Sequence, residues 1–272
     1  IRKLAELAEA RGYLEAQRRR EVSVIFSPQP IATSHNARVA ELIYGAERSI
    51  DVAMYSYSDP GIQAALADAT ARGVKVRFLF DTASNDRKLT GAQLSSSRSG
   101  RLESIGVDVR WVNKIMHHKF MIVDGPRDSL DAAKTAHVVS GSGNWSNGAA
   151  TKYDENTLFL SAMPEVALRM QREFDTLWEG SRDLVANPEL VFEASSIDIS
   201  DADIPVAPGF DALFTSANFT ANGDTFTLTG ADTVADGLVA AIDAAEERIL
   251  VASGHLRSRP VSEALMRKRA ED

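Results

Sequence analysis

The sequence predicts a layered α/β/α lobe built on a mixed sheet, followed by the start of a second, similar lobe. Three observations carry this. Strand-like and helical patterns alternate from residue 22 onward, which argues for a layered α/β domain. Strand-like runs then crowd residues 107–160, which makes the sheet mixed. The tail also repeats the front: Ala46-Glu47 matches Ala245-Glu246, and at the same offset of 199 residues Ile50 meets Ile249, Val52 meets Val251 and Ala53 meets Ala252. Val39 falls on Leu238, Ile43 on Ile242, Ile62 on Val261, Ala65 on Ala264 and Leu66 on Leu265, so the match spans a helix, a strand and the next helix.

In chain order, residues 3–20 read as an amphipathic helix, with Leu4, Leu7, Arg11 and Leu14 at helical spacing, so residues 1–21 form an N-terminal segment. Its basic end, Arg18 to Arg20, complements the carboxyl end of a helix. Strands are expected at Val22–Ser27, Ile50–Tyr57, Val74–Phe80, Val107–Val112, His117–Val123, His137–Gly141 and Asn156–Leu160. A helix starts after Ser34 as N-cap and turns Val39, Leu42 and Ile43 inward. Another follows Pro60, carries Ile62, Ala65, Leu66 and Ala69, and stops at Gly73. A third runs from Pro164 to Gly180, closing a lobe over 22–180. Residues 181–209 read as an acidic, solvated linker, and 210–272 as the beginning of the second lobe.

The formal charge of −8 is unevenly spread. Residues 1–180 hold 23 Lys/Arg against 22 Asp/Glu, whereas 181–236 hold one Arg against ten acidic residues. The acidity therefore lies outside the 22–180 lobe, which has no strong basic stripe for DNA. The acidic run fits no EF-hand spacing. The absence of Cys excludes disulfides, cysteine nucleophiles and thiolate metal sites. No apolar run is long enough to span a bilayer. The first residue is Ile rather than Met, so a trimmed or processed chain is expected, and a removed signal peptide would leave no trace. The compartment stays open, with secreted or periplasmic favoured over cytoplasmic.

The chemistry concentrates in Met116-His117-His118-Lys119-Phe120-Met121-Ile122-Val123-Asp124-Gly125. In a strand, residues i and i+2 share a face, so His117 and Lys119 project together while His118, Phe120, Ile122 and Asp124 point the other way. An imidazole beside an ammonium on one rigid strand suits attack on a phosphodiester: the neutral ring is the nucleophile and the cation stabilises the phosphoryl oxygens. Gly141-Ser142-Gly143-Asn144-Trp145-Ser146 follows, with glycines that let backbone approach a ligand and with Ser142 and Asn144 as neutral donors for phosphate. Asp154-Glu155-Asn156 opens the next strand, where Glu155 could hydrogen-bond the far nitrogen of His117 and fix its tautomer. Tyr55 and Tyr57, near a strand end, and Trp145 are candidate substrate contacts, with core packing as the competing role.

These three motifs resemble the signature of the phospholipase D superfamily, HxKxxxxD, then GSxN, then a downstream Glu. They are carried here by His117, Lys119 and Asp124, by Gly141, Ser142 and Asn144, and by Glu155. The resemblance covers residues 22–180 directly, and 210–272 resembles the opening of the family's second half. It implies metal-independent chemistry without a cofactor, through a covalent phosphohistidine, with two HKD motifs facing each other as nucleophile and general acid. Asp124 is grouped with the catalytic pair in that family, but strand parity gives it a turn or scaffold role here. No second HxKxxxxD occurs in the sequence, and at the repeat offset its His would fall near position 316. A continuation of the polypeptide or a separate fragment is expected to supply it, with a homodimer pairing two His117 residues as the fallback. If neither holds, His35, His137 and His255 are the remaining candidates for the acid.

The resemblance leaves two substrate classes. Two lobes suit a lipid-acting enzyme working peripherally at a membrane surface, hydrolysing or transferring a phosphatidyl group, and this reading is favoured. The wording of the motifs also resembles a compact nuclease and cardiolipin-hydrolase branch, so nucleic acid is the alternative. A lobe that binds phosphodiesters or a partner without turnover is the third.

Overall fold

A computed structural model describes residues 20–184, 190–207 and 212–271. The expected helix over 3–20 lies outside the described residues, apart from Arg20. The chain divides into two compact units, Ile1–Phe210 and Asp211–Asp272.

In the first unit, β1 (Glu21–Phe26), α1 (His35–Gly45), β2 (Ser49–Met54), α2 (Pro60–Ala71) and β3 (Lys75–Phe80) alternate as expected. Ser34 caps α1, its hydroxyl accepting from Ala37 N, and Asp59 caps α2 by accepting from Ile62 N at 3.0 Å. Three short helices follow, α3 (Ala83–Asp86), α4 (Gly91–Ser96) and α5 (Arg98–Glu103), before β4 (Asp108–Val112), β5 (Lys119–Val123) and β6 (His137–Gly141). Then come α6 (Asn147–Thr151), β7 (Asn156–Ser161), α7 (Pro164–Glu179) and a short β8 (Ser181–Asp183).

The sheet is mixed, in the order β1-β7-β6-β5-β2-β3-β4-β8. β2, β3 and β4 run parallel, and β5 joins β2 antiparallel with Met54 opposite Lys119. Side-chain alternation sorts the faces. Val52, Met54, Met121 and Val123 share one apolar cluster with Val39, Ile43, Ile62 and Leu66 of α1 and α2. Phe120 turns to the other face and meets Phe174 of α7 edge-on. The layers are therefore α/β/α, with α7 opposite α1 and α2.

The stretch expected to be a solvated linker is instead fastened to this unit. β8 adds an edge strand to β4. Phe192 N donates to Asp108 Oδ2 at 2.6 Å, Ser195 Oγ to Asp175 Oδ1 at 2.8 Å, and Ser196 N to Arg127 O at 2.8 Å. The physical reason is a buried charge cluster beneath the sheet. Arg77 is fully buried and gives Asp51 two bonds of 2.7 and 2.8 Å, while Arg127 reaches the same carboxylate. Buried guanidiniums need every donor satisfied, and the segment supplies acceptors such as Glu193 O at 3.2 Å from Arg77. Burial opposes ionisation of Asp51, but Arg127 and Arg77 overcome it and hold the carboxyl well below the usual range.

In the second unit, β9 (Phe219–Asn222) and β10 (Thr225–Leu228) form a hairpin, and α8 (Thr233–Asp243) packs on α9 (Arg259–Glu271) through Ala235, Ile242, Val261 and Ala264. Ile242, Val261 and Ala264 are the repeat partners of Ile43, Ile62 and Ala65, which pack α1 and α2 in the first unit. The strand between them does not form: residues 248–253 have no regular structure, and Leu250 and Val251 are exposed. β2 is held by β3 on one side and β5 on the other. Its counterpart has no such neighbours among the described residues, and a lone strand leaves its backbone groups unpaired.

Candidate active site

His117 and Lys119 lie at the carboxyl end of the parallel strands, where α/β crevices open. Lys119 is the first residue of β5, and its ammonium lies 3.0 Å from His117 Nδ1 and 3.4 Å from Nε2 while donating to His117 O at 2.8 Å. The Tyr55 ring lies 4.2 Å from the imidazole and 5.1 Å from the ammonium, so Tyr55 forms the floor under both. Partial burial, then the Lys119 charge and His118, lower the His117 pKa against the pull of Asp81. Burial also lowers the Lys119 ammonium to about 8, opposed by Glu155 and Asp81. Near neutral pH the pair is thus a neutral imidazole beside a cation, as nucleophile and phosphate anchor require.

Parity sends the remaining motif residues elsewhere. His118 turns toward α7, its Nε2 2.9 Å from Glu173 Oε1. Asp124 follows β5 with a φ of 53° and accepts from the backbone N–H groups of Glu47, Arg48 and Ser49 at 3.0, 2.6 and 3.0 Å. It pins the entry to β2 at the far end of the strand from His117.

The register of β5, β6 and β7 sets the Ser142–Asn144 loop beyond Gly141, alongside the residues that precede Lys119. Ser142 Oγ accepts from Asn156 N at 3.0 Å, leaving its own proton to donate. His35, fully buried, braces this loop: its Nε2 lies 3.1 Å from Asn144 O and its Nδ1 3.1 Å from Ser27 Oγ. A carbonyl only accepts, so His35 carries its proton on Nε2. The loop glycines are required by this crowding. A Cβ on Gly143 would meet His35 Nε2 and Thr157 Oγ1 at 3.0 Å, and one on Gly141 would meet Asn156 O at 2.1 Å.

Several expectations need correction. Glu155 makes no hydrogen bond to His117 among the described residues. It immediately precedes β7, two strands from β5, roughly 10 Å across the sheet. From there it acts on the charge of Lys119 instead. Tyr57 and Trp145, each 2% exposed, are core residues rather than substrate contacts. β2 ends at Met54, so alternation stops before Tyr57, whose hydroxyl donates to Gln63 Oε1 at 2.6 Å inside the fold. His35 has both nitrogens engaged, His137 pairs with Val123 at the opposite end of β5, and His255 belongs to the other unit, so none stands beside His117 within the first unit.

Sequence reasoning passed over Asp81. It follows β3, accepts from Met116 N at 2.9 Å, and acts electrostatically on both His117 and Lys119. A group of carboxylates able to take a cation occurs elsewhere: oxygens of Glu103, Asp108 and Asp183 lie within 4.8 Å of one another at the β4–β8 edge.

Comparison with known proteins agrees with the motifs. A family model described as cardiolipin synthase, PLD-like domain, matches residues 39–178. Mitochondrial cardiolipin hydrolase of Xenopus laevis is 32% identical over 154 residues, which are 56% of this chain and 65% of that protein. A phospholipase D of Rickettsia conorii is 32% identical over 142 residues, 52% of this chain and 62% of that protein. The chain thus spans less than two thirds of the length of either relative. The crystal structure of a phospholipase D family member, Nuc, from Salmonella typhimurium is 30% identical, with a TM-score of 0.48, over 60% of this chain and 97% of that one.

Proposed function

This chain belongs to the family of phospholipase D-like domains described for cardiolipin synthase, and from that membership we propose that it is a metal-independent phosphodiesterase that cleaves phospholipids through a phosphohistidine on His117. The observation that carries the reading is the His117–Lys119 pair, 3.0 Å apart, with both pKa values lowered so that ring and ammonium hold the required protonation states together. In the first step a ring nitrogen of His117 bonds to phosphorus and the ester oxygen leaves with the bonding electrons. A general acid protonates that oxygen as it departs. In the second step the same group, now a base, takes the proton of water or another alcohol as its oxygen bonds to phosphorus and the P–N bond breaks, which restores the ring. Phosphate binding draws Lys119 from Nδ1 to the non-bridging oxygens, where Ser142 and Asn144 add neutral donors. Charge stabilisation by Lys119 takes the place of a divalent cation.

Phospholipid is favoured over nucleic acid by the similarity of the first unit to proteins named cardiolipin hydrolase and phospholipase D. Ile115, two residues before His117, is 80% exposed, which leaves an apolar side chain close to the reacting segment. The general acid belongs to a second HKD half-site, from a continuation of the polypeptide or a separate fragment, with a homodimer as the fallback.

The test is turnover of cardiolipin or phosphatidylcholine vesicles and of single-stranded DNA, each with EDTA present, by the wild type and by His117→Asn. The reading expects a phosphatidyl product from the vesicles, lost in H117N. Cleavage of DNA alone would transfer the site to nucleic acid. Turnover restored only by an added metal would remove the phosphohistidine, and no turnover of either substrate would leave a binding lobe.

A further inference from the structure

We propose that Asp81 is a positioning residue of this site, tethering the segment that carries His117 and setting a negative charge against the His117–Lys119 pair from within the same lobe; the inference rests on the phosphodiesterase reading. The starting point is that His117 is not in the sheet. β5 begins at Lys119, so Met116, His117 and His118 lack ladder partners and must be held otherwise. Two bonds do this. Asp81 Oδ1 accepts from Met116 N at 2.9 Å, and Tyr55 N donates to His118 O at 2.8 Å. His117 sits between the two tethers, and the tethers are themselves joined. Asp81 N donates to Met54 O at 3.2 Å, and Thr82 Oγ1 to Tyr55 O at 3.5 Å, so the ends of β2 and β3 form one platform beneath the imidazole.

An amide oxygen would serve such a tether as well as a carboxylate, so the charge needs a separate account. The charged and titratable groups facing His117 are Lys119 and His118 from β5 and its approach, and Asp81 from the end of β3. Those facing Lys119 are Glu155, from the start of β7, and Asp81. Among the described residues, Asp81 is thus the acidic group acting on both members of the pair. It counters the repulsion between the ammonium and a ring that becomes cationic on phosphorylation. Desolvation raises the Asp81 pKa, against the Met116 N–H, His117 and Lys119, which marks a carboxylate placed for its neighbours rather than for water.

Asp81→Asn separates the two roles, because the amide still accepts from Met116 N but carries no charge. The readouts are the NMR titration of the His117 ring and the steady-state kinetics on a chromogenic phosphodiester in EDTA. D81N is expected to titrate His117 at lower pH than wild type, and to lose kcat by about tenfold with KM within about twofold. Asp81→Ala should lose more, with broadened His117 resonances. Wild-type titration and wild-type kcat in D81N would overturn the proposal. Should the variants not fold, the wild type still decides: His117 and the Met116 amide must both report a second inflection as Asp81 ionises, and a single inflection overturns it. The titration needs no turnover, so a wild type inactive on every phosphodiester would sink the functional reading while the His117 shift still judges Asp81.

Discussion

The proposed mechanism needs the His117 ring neutral and the Lys119 ammonium charged, so it gives the pH–rate profile an acid limb and an alkaline limb. The acid limb should fall below the ordinary histidine value, because burial and Lys119 lower the His117 pKa. The alkaline limb should fall near pH 8, where Lys119 loses its proton. Glu155 raises the Lys119 pKa, so Glu155→Gln should lower turnover and draw the alkaline limb to lower pH, leaving the acid limb in place. A pH–rate profile of E155Q that shifts on its acid side instead would return Glu155 to His117. Asp124 is the contrast. It accepts from three backbone N–H groups far from the reacting ring, so Asp124→Ala should cost about 2–4 kcal/mol of stability while the folded fraction keeps its kcat. Calorimetry and active-site titration distinguish the two outcomes. Alternation made this division legible in the sequence, since His117 and Lys119 share a side that His118 and Asp124 do not, although the strand itself runs only from Lys119 to Val123. Asp81 was not legible. It lies 35 residues before Met116, and only the pairing of β2 with both β3 and β5 brings the two together.

At the scale of elements, the first unit was readable because its strands are short apolar runs closed by caps: Ser34 before α1, Pro60 and Gly73 around α2, Pro164 and Gly180 around α7. The three short helices after β3 and the edge strand β8 were not, because each is three to six residues long and carries no period of its own. The edge they build has a pH dependence. Burial, then Asp183 and Asp108, push Glu103 up to about 7 against the Val109 N–H. Burial likewise pushes Asp108 up to about 6, against Phe192 N and Arg110. Raised carboxylates favour folding while protonated, so this contribution is full below the ordinary carboxylate range and is lost as pH rises through about 6 to 7. Glu103→Gln should therefore raise Tm at pH 8 by about 2–4 °C, with the gain shrinking toward pH 5. An equal shift at both pH values would remove the charge cluster as its cause. Asp51 predicts the opposite sense. Asp51→Asn leaves Arg127 buried without its hydrogen-bonded carboxylate and Arg77 with Asp175 alone, and should cost about 3–5 kcal/mol, read as a lower denaturation midpoint.

For the molecule as a whole, the partner that the proposed chemistry calls for is a second half-site. The repeat places a helix pair in the second unit with its buried positions in register, yet the strand expected between those helices is missing its neighbours. Local pattern carried the helices because each buries a face against the other, whereas a central strand exists only through strands on both sides. The account expects active material to contain a second HKD motif, as a continuation, a fragment or a second copy, and native mass spectrometry of the active species reads this directly. Beneath these questions stands the chemistry of His117. The most direct measurement is mass spectrometry of the protein quenched in acid-free buffer during turnover of a slow phosphodiester with EDTA present. The account predicts a phosphoryl adduct on His117 that forms and decays with turnover and is absent from His117→Asn. Turnover without an adduct, or an adduct on any other residue, would contradict it.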